Sequence, residues 1–126
     1  MRQLTETFAG QEFTFVANFA TSVEIAKQVA DPMKIARDIT EQSFAPGQQK
    51  AGSFNFTIDN VAKLLHIGAK AGGHKTTLAE MNELVFEHGF FNSQAIATDY
   101  LTLIVGPQPE ETLDEVEKEQ DEPEKP

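Results

Sequence analysis

The chain has no cysteine and no tryptophan, and only one tyrosine among its 126 residues. Without cysteine there are no disulfides and no thiolate metal sites, as expected of a protein that works in a reducing compartment. No apolar run approaches the roughly 20 residues that a membrane span requires, and the opening "MRQLTETFAG" has no apolar signal core. A soluble cytoplasmic protein is therefore expected, with no membrane partner. A basic stripe is also missing. The net charge is −10, with 20 acids against 10 lysines and arginines, which argues against nucleic-acid binding.

The charge is uneven. Residues 107–126 hold nine acids and two lysines (−7), which leaves 11 acids against eight bases (−3) for residues 1–106. The expected organisation is a single globular helical domain over 1–106 with an N-terminal hairpin, followed by an acidic, disordered tail over 107–126. The fold class is mainly α (α+β): a small β-hairpin packed on a bundle of about four to five helices.

The hairpin is read from "QLTETFAGQEFTFVANF". Leu4, Glu6 and Phe8 alternate with Thr5 and Thr7, and Phe13 and Phe15 alternate with Thr14 and Val16. Ala9-Gly10-Gln11 lies between them as the turn. Two strands alone are barely stable, so the phenylalanine face must pack on helices. A short helix follows, capped by Thr21 or Ser22, with Val23, Ala26 and Val29 on one side. Asp31-Pro32 opens a second helix with a stripe of Met33, Ala36 and Ile39. Residues 40–53 read as a polar loop. Phe54-Asn55-Phe56 reads either as a third short strand or as the staple before the next helix. Thr57 caps a helix in which Val61, Leu64, Leu65 and Gly68 recur at i, i+3, i+4, i+7, and Gly72-Gly73 ends it. Thr77-x-x-Glu80 is a capping box, and Met81, Leu84, Val85 and His88 form the stripe up to Gly89. Asn92 or Ser93 starts the last helix, with Ile96, Tyr100 and Leu103 on one face and Leu101 and Ile104 beside it. As the most apolar of the helices, this one is expected at the centre of the core.

One stretch invites a catalytic reading. "GAKAGGHKTT", residues 68–77, nearly spells the phosphate-binding loop G-x-x-x-x-G-K-[ST]. His74, however, separates Gly73 from Lys75, and the glycines follow helical rather than strand spacing, so a hinge between helices is expected. His66, His74 and His88 lack the i, i+4 spacing of a zinc-binding helix. His88 sits where a helix C-terminus favours positive charge. The hydroxyls of Thr21, Ser22, Thr57, Thr77 and Ser93 stand at apparent caps, and Glu80 and Glu87 fit a solvated helix face. No catalytic residue, cofactor or metal is expected, nor any enzymatic activity. Phe90-Phe91, in a tight connection, suits either core or a partner anchor.

The order of hairpin, helices and "VAKLLHIGAKAGGHKTTLAEMNELVFEHGFFNSQAIATDYLTLIVG" resembles the tail assembly chaperones of tailed phages, in the branch that includes gene transfer agent tail proteins. In that family a short β segment with a glycine turn, here "FAGQEFTF", precedes a helix whose start resembles "FATSVEIAKQV". The resemblance covers roughly residues 6 to 105. It implies a phage or prophage protein of the host bacterial cytoplasm, active in virion morphogenesis. Such a protein binds the tape measure protein and helps recruit tail tube subunits, and homo-oligomers are compatible with this role. Phe13, Phe15, Phe90 and Phe91 are the residues expected at the partner surface. The alternative is a minor structural tail or tail tube component retained in the virion.

Overall fold

Threonine and phenylalanine alternate on both sides of Ala9-Gly10, and that period of two makes a hairpin with one wet face and one dry face. The computed structural model describes residues 2–44, 47 and 51–106; the tail expected to be disordered, 107–126, lies outside the described residues. Strand β1 (Arg2–Phe8) pairs antiparallel with strand β2 (Gln11–Ala17), Phe8 opposite Gln11 and Arg2 opposite Ala17. The turn is shorter than expected: Ala9 and Gly10 alone form it, both at positive φ (51° and 79°), and Gln11 already belongs to β2. That geometry matches the right-handed strand twist. Phe8, Phe13, Phe15 and Ala17 are buried on the inner face, whereas Gln3, Thr5, Thr7 and Glu12 face solvent.

Helix α1 (Phe19–Gln28) starts earlier than expected. Asn18, not Thr21 or Ser22, is its cap. The Asn18 side-chain oxygen accepts the Thr21 N–H, and the Thr21 hydroxyl accepts the Asn18 N–H, each at 2.8 Å. Starting from Asn18, the helix buries Thr21 and Ile25, one turn apart, and leaves Val23 and Ala26 exposed. The expected Val23-Ala26-Val29 stripe is thus wrong. Helix α2 (Pro32–Phe44) opens as Asp31-Pro32 predicts, with the Asp31 carboxylate accepting the Met33 N–H. Pro32 and Ile35 are buried, Ala36 and Ile39 half-buried, and Met33 exposed, so this stripe is shifted too. The helix also continues into residues 40–44, which were expected to be loop. The hydroxyls of Thr40 and Ser43 donate to the carbonyls of Ala36 and Ile39 one turn back, so both polar side chains find partners within the helix.

Phe54 and Phe56 form no strand. Their rings meet edge-on at 5.3 Å, and Phe54 is tied to α2 by its N–H to Asp38 and its carbonyl to Gln42. Helix α3 (Ile58–Ala71) follows its Thr57 cap as expected and buries seven residues, Val61, Leu64, Leu65 and Gly68 among them. It packs against β2, α1, helix α4 (Leu78–His88) and helix α5 (Phe90–Val105), while α5 packs against α2, α3, α4 and both strands, so α3 and α5 share the centre of the core. Helix α5 has the more apolar sequence, but Leu103, Ile104 and Val105 at its end are only half-buried. Its start also differs from expectation: Gly89, at φ 103°, ends α4 and begins α5 with nothing between. Asn92 and Ser93 brace that corner instead of opening the helix, donating to the carbonyls of His88 and Val85. Among the described residues, no helix is long and apolar enough to cross a membrane.

Candidate functional site

The loop after α3 is a hinge, and its amides show why. In a phosphate cradle, successive backbone N–H groups converge on the anion. Here the N–H groups of Gly72, Gly73 and His74 donate to the carbonyls of Gly68, Lys70 and Ala69 and close the helix end. Gly73 takes the left-handed conformation. Gly72 lies so close to β2 that an added methyl group would land on the Thr14 carbonyl oxygen.

The histidines belong to the hairpin. His74 Nε2 accepts the Thr14 N–H at 3.1 Å, and His88 Nδ1 accepts the Ala9 N–H at 3.0 Å. A backbone N–H can only donate, so each of these ring nitrogens carries a lone pair. His88 does lie in the last turn of α4, as expected, and its ring serves there as an acceptor for the hairpin. The rings also continue an aromatic row: His88 lies 4.8 Å from Phe8, Phe8 lies 5.7 Å from Phe13, and Phe13 lies 4.6 Å from His74. His66 is half-buried on α3, facing α1 beside Glu24 and Lys70. Among the described residues, no group of three or more histidines or acids is placed to hold a metal ion.

The hydroxyls and carboxylates are engaged in holding the backbone. The hydroxyls of Thr57 and Thr77 accept N–H groups as caps, those of Ser22 and Ser93 donate to carbonyls, and the Glu80 carboxylate accepts the Thr77 N–H. Tyr100 has its hydroxyl on the Val16 carbonyl at 2.7 Å, and burial pushes the phenol up to about 12. On α2, Asp38 accepts from Lys34 at 2.6 Å and from the Phe54 N–H at 2.8 Å, which holds its carboxyl below the usual range.

The expected contact phenylalanines divide cleanly. Phe13 and Phe15 are at most 1% exposed, which corrects their assignment to a partner surface: they are core. Phe90 and Phe91 are 41% and 86% exposed. They are joined by Phe86, 71% exposed and edge-on to Phe90 at 5.7 Å, a residue that the sequence reading passed over. The missed signal was its place in "LVFEHGFF": Phe86 falls outside the Met81-Val85 stripe but one turn before Phe90. Helix α4 sets this aromatic corner beside an open depression of about 750 Å³ lined by Glu80, Glu83, Glu87 and Phe86. The corner offers apolar area rimmed by negative charge. A smaller apolar groove between α1 and α2 contains Val23, Met33, Ile104 and Val105.

No protein-family model matches the chain, and neither curated proteins nor solved structures include a significant match.

Proposed function

We propose that the chain is a phage or prophage tail assembly chaperone, a non-enzymatic protein that binds the tape measure protein and helps recruit tail tube subunits. The observation that carries this reading is the aromatic corner of Phe86, Phe90 and Phe91. Three phenylalanines in water at one helix junction suit a surface that awaits an apolar partner. A tape measure protein offers long amphipathic helices, and such a helix can lay its apolar face across the corner. Glu80, Glu83 and Glu87 on the adjoining face would meet basic flanks of that helix. The acid-rich segment 107–126 would keep loaded complexes apart in the host cytoplasm by charge repulsion.

The test is co-expression of a tape measure segment with the wild-type chain or with a Phe90→Ser/Phe91→Ser double variant. The wild-type chain should hold the segment in solution as a complex, and the variant should stay folded while the segment precipitates. Precipitation alongside the wild-type chain defeats the reading.

A further inference from the structure

The two edges of the hairpin are treated differently. Register places the outward-pointing backbone groups of β2 at Glu12, Thr14 and Val16, and those of β1 at Gln3, Thr5 and Thr7. The β2 edge is sealed. His74 takes the Thr14 N–H, Tyr100 donates to the Val16 carbonyl, and Gly72 lies against the Thr14 carbonyl. Among the described residues, the β1 edge has no such cover: no hydrogen bond occupies the outward groups of Gln3, Thr5 or Thr7, and the side chains of all three are exposed. It has no proline, no bulge and no lysine; its two charged side chains, Arg2 and Glu6, lie in the inner register with Leu4 and Phe8, and Arg2 donates to the Leu103 and Ile104 carbonyls at 2.9 and 3.0 Å.

We propose that β1 is a self-association edge, with a second copy of this chain as its occupant, forming a four-stranded antiparallel sheet across a two-fold axis at Thr5. The self-complementarity of the strand argues for this occupant. With Thr5 opposite Thr5 of the second copy, Gln3 faces Thr7 and Thr7 faces Gln3, and each of these pairs exchanges both backbone hydrogen bonds. The hydroxyls of Thr5 and Thr14 are already paired across the hairpin at 3.2 Å, so the outer face becomes a continuous threonine row from one copy to the next. Charge fits as well. In a chain of net charge −10, β1 carries one acid and one base, Glu6 and Arg2. The two-fold sets Glu6 opposite Leu4 and diagonal to both Arg2 and Glu6 of the other copy, so no like charges lie directly opposite. This inference stands apart from the aromatic corner, which lies on α4 and α5.

The experiment is sedimentation of the full chain from low micromolar to near-millimolar concentration, with amide exchange followed in parallel. The wild type should move from monomer to dimer as concentration rises, and the Gln3, Thr5 and Thr7 amides should gain protection with it. Thr5→Pro removes the central N–H and should weaken association roughly ten-fold or more. Thr5→Lys leaves the exposed position foldable but sets like charges face to face. It should be monomeric alone and should associate again when mixed with Thr5→Glu. Circular dichroism checks that each variant is folded. A wild type that stays monomeric throughout overturns the inference, as does a dimer that Thr5→Lys leaves intact. Capture of an extended peptide by β1 without self-association overturns the choice of a second copy.

Discussion

Phe8, Phe13 and Phe15 lie sealed beneath the hairpin, while Phe86, Phe90 and Phe91 stand in water at the junction of α4 and α5. The side chain is the same, so the difference lies in what surrounds it. In the hairpin, each phenylalanine occupies the inner position of an alternating strand and meets α3, the next ring or a histidine. At the corner, Met81, Val85 and Ser93 take the inward positions, and the phenylalanines fall beside that stripe. Leaving a large aromatic exposed forgoes about 1.5–3 kcal/mol of burial per side chain, so the corner contributes little to folding. The hairpin rings stabilise the fold, and the corner rings are left exposed by it.

The largest effect that can break this comparison is truncation. Phe15→Ala should lower the unfolding free energy by about 3–5 kcal/mol in a denaturant titration, through lost transfer energy and the cavity left between β2, α3 and Tyr100. Phe91→Ala should change it by no more than about 0.5 kcal/mol. Equal losses at the two sites would mean that the corner is core after all.

Next in size is the alkaline limb. Burial raises the Tyr100 phenol to about 12 from an ordinary 10.0. A raised acid favours folding fully below the unfolded value and loses that contribution as pH climbs through the folded value. Stability should therefore fall by about 2–3 kcal/mol between roughly pH 10 and 12. Tyr100→Phe should remove this alkaline loss. At neutral pH it should itself cost about 1–2 kcal/mol, since the Val16 carbonyl is left without its donor. Thermal unfolding across alkaline pH checks both expectations. A variant with the wild-type alkaline profile would place the titration elsewhere.

A smaller effect tests the histidines as fasteners of the hairpin. His74→Ala and His88→Ala each remove an acceptor worth about 1 kcal/mol, so exchange of the Thr14 and Ala9 amides, respectively, should quicken by roughly five-fold. Acid sensitivity comes from Asp38. Its lowered carboxyl favours folding above the ordinary carboxylate value, and that contribution disappears as pH falls through the folded value.

These effects also separate what the sequence could express from what it could not. Local chemistry was legible: strand alternation around Ala9-Gly10, the Thr57 cap, the Thr77/Glu80 box and the Gly72-Gly73 hinge all rest on residues within a few positions of one another. The inner faces of α1 and α2 were not, because each is set by contacts with distant elements, and short helices with few apolar residues allow more than one stripe. The start of α5 was misread because Asn92 and Ser93 look like caps, yet their side chains reach back to α4. His74 and His88 as hairpin acceptors span 60 and 79 positions, beyond any periodicity. Half of the expected contact set survived as exposed surface: Phe90 and Phe91 lie outside a buried helical stripe, whereas Phe13 and Phe15 lie in the inward register of a strand.

The smallest effect on stability sharpens the comparison most. Phe90→Ser/Phe91→Ser should shift the denaturation midpoint little, since both rings are largely in water and only Phe90 touches another ring, that of Phe86. Its influence should appear in partner capture instead. The same double variant should weaken capture of a tape measure helix in a pull-down, and adding Phe86→Ser should weaken it further by removing the third face of the corner. The Glu83→Gln/Glu87→Gln pair offers the control, because it keeps the rings and removes only the acidic rim. Capture should persist in that variant, with slower association and a flatter salt dependence. If the acidic rim proves indispensable and the rings do not, the corner is an electrostatic surface and the phenylalanines are bystanders.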